Sequence, residues 1–281
     1  ASVMKAALIG KGIAASLTPT LHEAEGAALG LDYTYGRYDL ATLQYAGWSL
    51  AMAVDAAQVA GCRGVNVTYP FKQDVMALLD EISPQARDIG AVNTVVFEGD
   101  RRIGHNTDYI GFSAAFEREM QGISRETVLL LGAGGAGCAV GLAMIDLGAE
   151  TLWIHDKNQD AAQDLADRLA DLRPDASCAV WASQGEVDGI INATPMGMAS
   201  HPGQAISLDD VTTRQFIGDI VYFPLQTALL CDAAARGLRV MTGGGMAVGQ
   251  AAETFKLFTG HAPYLSRMTQ HFHDMTQKVP A

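Results

Sequence analysis

The feature that most constrains this chain is an uncharged run of eighteen residues, Val128 to Ile145, holding glycines at 132, 134, 135, 137 and 141. A run of that length is long enough for a membrane helix. Four glycines within six positions break such a helix near its start and suit a tight turn instead. Leu129-Leu130-Leu131 leads straight into Gly132-Ala133-Gly134-Gly135-Ala136-Gly137, so a strand pattern meets G-x-G-x-x-G and then a helical pattern. A dinucleotide pyrophosphate needs that order. The glycines let the turn close and let the backbone approach the phosphates, and the helix N-terminus offers free N–H groups and a positive dipole end.

The next strand, 151–155, runs into Asp156, nineteen residues past Gly137 and near the spacing expected for an acid that binds the adenosine ribose. A carboxylate there accepts from the 2′- and 3′-hydroxyls and repels a 2′-phosphate. No Arg follows it in His155-Asp156-Lys157-Asn158, so these residues predict NAD over NADP as the cofactor, with Lys157 able to neutralise part of the charge.

Composition narrows the partners. The 281 residues suit two modest domains better than one, and 49% hydrophobic against 18% charged residues gives ample core material. Lys and Arg number 19 against 31 Asp and Glu, a formal charge of −12. Such a surface repels phosphate backbones and anionic lipid, so neither nucleic acid nor membrane is expected as a partner. Cys62, Cys138, Cys178 and Cys231 form no CxxC pair or zinc spacing and read as scattered buried thiols. The seven histidines show no metal-ligand cluster, and no metal is expected. ASVMKAALIG lacks the pattern of a signal peptide, so a cytoplasmic location is expected. The sequence does not read the oligomeric state; a homodimer stays open.

Short apolar runs alternate with helical patterns, which predicts an α/β chain of two domains with mainly parallel sheets. The first domain spans 1–108 and is joined by C-terminal helices within 247–281; residues 109–246 form a Rossmann-type dinucleotide-binding domain. Strands are expected at 5–9, 33–39, 64–67, 92–97 and 102–105, then 128–131, 151–155, 177–181, 189–193, 217–221 and 239–240. Helices are expected at 19–29, 49–60, 70–79, 109–122, from about 136, 160–172, 227–236, 247–258 and 265–277. Polar residues gather after the early strands: Ser16 and Thr18, Asn66 and Thr68, Lys72, Asn93, and Asn106-Thr107-Asp108. Hydroxyls, amides, one cation and one anion suit a polyhydroxylated ligand that bears a carboxylate, at the strand ends where α/β domains place ligands.

Taken together, these segments resemble the shikimate dehydrogenase family, and within it the NAD-preferring quinate/shikimate dehydrogenases. The matching stretches are Ser16-Leu17-Thr18, Asn66 through Lys72, Gly90 through Thr94, Gly104 through Asp108, the glycine loop, Asn192-Ala193-Thr194-Pro195-Met196-Gly197, Val221-Tyr222-Phe223-Pro224 and Gly245-Met246 through Gln250. The resemblance implies reversible oxidation of a ring hydroxyl of quinate or shikimate, a small cyclitol carboxylate, to the 3-dehydro ketone, with hydride passing to NAD. It implies Lys72 and Asp108 as the catalytic pair, which also touches the substrate. Ser16, Thr18, Thr68, Asn93 and Gln250 would hold carboxylate and hydroxyls, with Asn66 and Tyr222 in support. Gly132, Ala133, Gly134, Gly135, Ala136, Asp156, Lys157, Thr194, Pro195, Met196, Val221, Gly245 and Met246 would hold the cofactor.

The chemistry suits those residue types. Hydride leaves carbon only as the hydroxyl proton is removed, so a proton-accepting group must lie within hydrogen-bond reach of that oxygen. A free lysine is mostly protonated at neutral pH, and a neighbouring aspartate favours that state. The pair therefore reads as a coupled unit sharing a proton.

Three departures from the family pattern bear on substrate choice. Thr18 stands where strict shikimate enzymes carry Ser, Thr242-Gly243-Gly244-Gly245-Met246 replaces Asp-Gly-Leu-Gly-Met, and Gly249 stands where a His often precedes the glutamine. The alternatives are a biosynthetic NADP-linked shikimate dehydrogenase, an aminoshikimate-type relative, and, in another class, a catalytically idle nucleotide-binding sensor.

Overall fold

The structure is a computed structural model that describes residues 3–277. It divides into two compact units, residues 3–107 with 248–277, and Asp108–Ala247. Each is an α/β layer structure built on one six-stranded sheet.

In the first unit, β1 (Met4–Gly10) pairs in parallel with β2 (Tyr33–Asp39) and β3 (Gly64–Val67). The sheet continues through β5 (Thr94–Glu98), antiparallel to both its neighbours, and β6 (Arg101–His105) to a short β4 (Glu81–Ile82) that runs parallel to β6. Three of its five pairings are parallel. Alternation along β1 divides the core. Ala7 and Ile9 pack on Ala53, Val54 and Ala57 of helix α2 (Leu50–Val59). Ala6 and Leu8 face Tyr33, Tyr35 and Phe258 on the other side. Helix α1 (Thr18–Ala28) follows β1, and α3 (Pro84–Ile89) precedes β5.

The second unit is wholly parallel, in the order β12-β11-β10-β7-β8-β9. Its strands are β7 (Thr127–Leu131), β8 (Thr151–His155), β9 (Ser177–Val180), β10 (Val187–Asn192), β11 (Thr213–Asp219) and β12 (Arg239–Met241). Leu129 and Leu131 of β7 pack on Leu229, Leu230 and Ala233 of α7 (Ala228–Ala235). Leu130 faces the opposite side, against α5 (Gly135–Asp146) and α6 (Gln159–Leu172), as the period of two requires. Helix α4 (Asp108–Glu119) opens this unit. Helix α8 (Gly244–Thr259) starts in it and continues in the first unit, followed by α9 (Leu265–Gln277).

Four local expectations are corrected. The helix expected at 70–79 is only a 3₁₀ stretch at Asp74–Leu78. The backbone carbonyl of Lys72 accepts from Val92 N at 2.8 Å and is diverted from a helical bond, while Phe71 N bonds back to Thr68 O at 2.9 Å. Strand β11 begins and ends earlier than 217–221, which moves Asp219 to a strand end. The helix expected at 109–122 starts at Asp108 and closes at Glu119, ahead of Gly122 with φ +73°. Of the four thiols, only Cys138 is buried, and none of the four is in a disulfide. Among the described residues, no helix is long and apolar enough to cross a membrane.

Candidate active site

The first unit places its share of the candidate residues at the C-terminal ends of β1 and β3 and beside them. Ser16 and Thr18 lie in the turn that opens α1, with Thr18 N donating to Ser16 Oγ at 3.3 Å. That loop is shaped from a distance in sequence. Asp39, buried at the end of β2, accepts from Gly12 N at 2.9 Å and Ile13 N at 3.0 Å. Thr68 N bonds to Ile9 O at 3.0 Å, which brings the residue after β3 alongside β1. Lys72 is half-buried in the turn that follows. Its carbonyl takes Val92 N, so the lysine backbone sits beside the segment that carries Asn93.

A buried network of amides and hydroxyls ties these ends together. The Asn66 amide nitrogen donates toward Asn93 O and Thr94 Oγ1, both at 3.1 Å, and Thr254 Oγ1 at 3.3 Å, while its oxygen accepts from Tyr35 at 2.7 Å. Asn93 grips the next segment at both ends of its amide. Its Nδ2 donates to Thr107 Oγ1 at 2.8 Å, and its Oδ1 accepts from Thr107 N at 2.8 Å. Thr254, on α8, lies 3.2 Å from both Thr94 Oγ1 and Thr107 Oγ1. Gln250 precedes Thr254 by one helical turn and shares its face. All five of Asn66, Asn93, Thr94, Thr107 and Thr254 are at most 4% exposed. Groups that far from water are tolerated because they are mutually bonded. Asp108, also buried, follows directly on the twice-held Thr107.

The second unit carries the remaining candidates. Gly132 stands at φ +105°, and a Cβ on it would lie 2.8 Å from Ala193 O; one on Gly137 would lie 1.9 Å from Gly132 O. Only glycine fits this turn. Nothing lies within 4 Å of a Cβ built on Gly134, where α5 begins. Asp156 closes the loop from the neighbouring strand, accepting from Ala133 N and Asn158 N at 2.8 Å each. A tight turn, an uncovered helix N-terminus and an acid fixed beside them fit a dinucleotide. Ala133 is buried, Gly135 and Ala136 are half-buried, and Lys157 is exposed beyond Asp156.

Residues 192–197 leave the end of β10 as a compact turn. Thr194 Oγ1 donates to Asn192 Oδ1 at 2.6 Å and accepts from Met196 N at 3.1 Å, with Pro195 between them. Val221 is buried and Tyr222 half-buried after β11. Gly245 and Met246 fall in the first turn of α8. The candidates thus fall into two groups, one in each unit. Sequence reasoning missed Asp39, Tyr35, Thr254, Asp219 and Thr227. An isolated Asp at the end of a strand pattern is the signal that could have found Asp39.

Residues 8–95 match the family model described as the shikimate dehydrogenase substrate binding domain. An NADP(+) shikimate dehydrogenase of Pseudarthrobacter chlorophenolicus is 43% identical, covering 94% of this chain and 92% of the relative. An NAD(+) quinate/shikimate dehydrogenase of Corynebacterium efficiens is also 43% identical, over 94% and 96%. The structure of quinate dehydrogenase from Corynebacterium glutamicum in complex with NAD is 40% identical, covers 97% of this chain and 99% of its own, and superposes with a TM-score of 0.87. The chain belongs to the shikimate dehydrogenase family.

Proposed function

We propose that the protein is a dehydrogenase that reversibly oxidises a ring hydroxyl of quinate or shikimate to the 3-dehydro ketone, with NAD as the hydride acceptor. The observation that carries this reading is the amide–hydroxyl network around Asn66 and Asn93. It fixes neutral donors and acceptors at the strand ends, where a polyhydroxylated acid needs oriented hydrogen bonds rather than one strong charge. Ser16, Thr18, Thr68, Asn93 and Gln250 hold the carboxylate and hydroxyls; Asn66 and Tyr222 support them. Residues up to 108, with the C-terminal helices, act as the substrate domain, and 109–246 as the cofactor domain.

The nicotinamide, when bound, supplies the hydride-accepting carbon. Lys72 bonds the reacting oxygen and exchanges its proton, and Asp108 orients the ammonium. The glycine loop, 132–136, carries the pyrophosphate on the N-terminus of α5. Thr194, Pro195, Met196, Val221, Gly245 and Met246 carry the nicotinamide end.

NAD is favoured over NADP because Asp156, locked to Ala133 N, presents a carboxylate that a 2′-phosphate would meet. The Corynebacterium relatives named for NAD support this choice, while the NADP(+) name of the Pseudarthrobacter relative supports the other. Lys157 is the exposed cation through which the second reading would act.

The test is Lys72→Ala, read as initial rates of NADH formation beside circular dichroism. Loss of a general acid–base group is expected to lower kcat by about a hundredfold or more with folding intact. Near-normal turnover would remove Lys72 from the mechanism.

A further inference from the structure

We propose that Asp219 is the positioning residue of the nicotinamide end of the cofactor site, clamping the turn at 192–197 to the segment that begins at 219. This deepens the reading above and rests on its assignment of Thr194, Met196 and Val221 to the cofactor.

The carboxylate is 3% exposed and closes β11. One oxygen, Oδ1, accepts from Asn192 Nδ2 and from Val221 N, each at 3.0 Å. The other, Oδ2, accepts from Thr227 Oγ1 at 2.8 Å. Two of these partners, Asn192 and Thr227, also hold something else. Asn192 Nδ2 donates to Met196 O at 2.9 Å, and Asn192 Oδ1 accepts from Thr194 N at 3.1 Å and from its hydroxyl. Ile220 N bonds to Asn192 O at 3.0 Å, a second tie between the same two segments. Thr227 caps α7 by accepting from Leu230 N. Thr194, Met196 and Val221 are therefore each one or two hydrogen bonds from a single carboxylate.

An acid suits this arrangement. Three donors converge on two oxygens, and a carboxylate can accept at both. An amide would turn an N–H₂ toward one of them. The donors are all neutral, and burial with no cation among them pushes the Asp219 carboxyl up to about 6. An acid held under that penalty is costly as mere filling, but suits a clamp that must keep two turns at a fixed separation.

The position calls for a ligand comparison that separates the two ends of the dinucleotide. Calorimetric titrations of wild type, Asp219→Asn and Asp219→Ala would use NAD and ADP-ribose, which lacks the nicotinamide. Asp219→Ala is expected to weaken NAD about tenfold, as loss of one charge-assisted hydrogen bond does, with ADP-ribose held within about twofold and Asp219→Asn in between. NAD and ADP-ribose weakening together, or neither changing, would overturn the assignment. Should Asp219→Ala fail to fold, Asp219→Asn decides by the same split. Wild-type protein that binds neither probe would remove the cofactor site itself, and the clamp with it.

Discussion

In the first unit, one cluster at the strand ends is held by amides and hydroxyls alone: Asn66, Asn93, Thr94, Thr107 and Thr254 bond one another with no charged group among them. At the corresponding end of the second sheet the hub is a buried carboxylate, Asp219, fed by three neutral donors. Both devices fix loops at a sheet edge, yet they respond to their surroundings in different ways. A neutral network holds its geometry at any pH where the chain is folded. A buried acid changes its hydrogen-bonding capacity when it takes a proton, because a protonated carboxyl must donate where it used to accept. The Asn66–Thr254 network is thus indifferent to pH, and the Asp219 hub is not.

The contrast breaks most readily at Asn66. Asn66→Ala removes the amide that joins Tyr35, Asn93, Thr94 and Thr254, taking away the acceptor of the Tyr35 hydroxyl and the donor to three buried oxygens. A loss of about 2–4 kcal/mol in folding stability is expected, measured by urea unfolding. That loss should be the same at acid and neutral pH, and a pH-dependent loss would contradict the neutral character of the network.

Asp219→Asn tests the other side, and its sign follows from linkage. The folded-state value lies above the ordinary 3.8, at about 6, so the folded form holds a proton that the unfolded chain has already released. The contribution to stability is full below the unfolded value and is lost as pH rises through the folded one. Asp219→Asn, which does not titrate, should therefore gain on wild type by up to about 3 kcal/mol as pH rises across that window. Paired melts at several pH values check it, and a difference that stays flat would place Asp219 among ordinary carboxylates.

How far these devices could be read beforehand differs between the units. The two α/β sheets were legible because strand and helix periods alternate cleanly, and the glycine loop carried its own context in Leu129–Leu131 and Asp156. Asn66 and Asn93 were legible as polar residues near strand ends. Thr254 was not, because a threonine within an apolar helix looks like any other; only its distance from Thr94 and Thr107 reveals it. Asp219 was hidden by a strand boundary placed two residues too late, which put it in mid-strand. The turn at 70–73 was misread as helix because no local signal shows that Val92, twenty residues on, captures the carbonyl of Lys72.

Smaller effects sharpen the comparison. Thr254→Val removes one hydroxyl from a network with alternative partners, and about 1 kcal/mol of stability and a several-fold drop in kcat/KM for the cyclitol acid are expected. Thr254→Ser should restore both; if it restores neither, the methyl rather than the hydroxyl matters. At the exposed Lys157, replacement by Ala should change the NAD to NADP ratio of kcat/KM by no more than about threefold, since a solvated charge contributes little. A larger change would move cofactor choice from Asp156 to Lys157.

A four-way set of initial rates, quinate and shikimate each with NAD and NADP, bears most directly on what the molecule is for. Turnover of at least one of the two acids, with a higher kcat/KM for NAD, is the expected result. An absence of turnover in every combination, by protein that is folded and binds NAD, would contradict it.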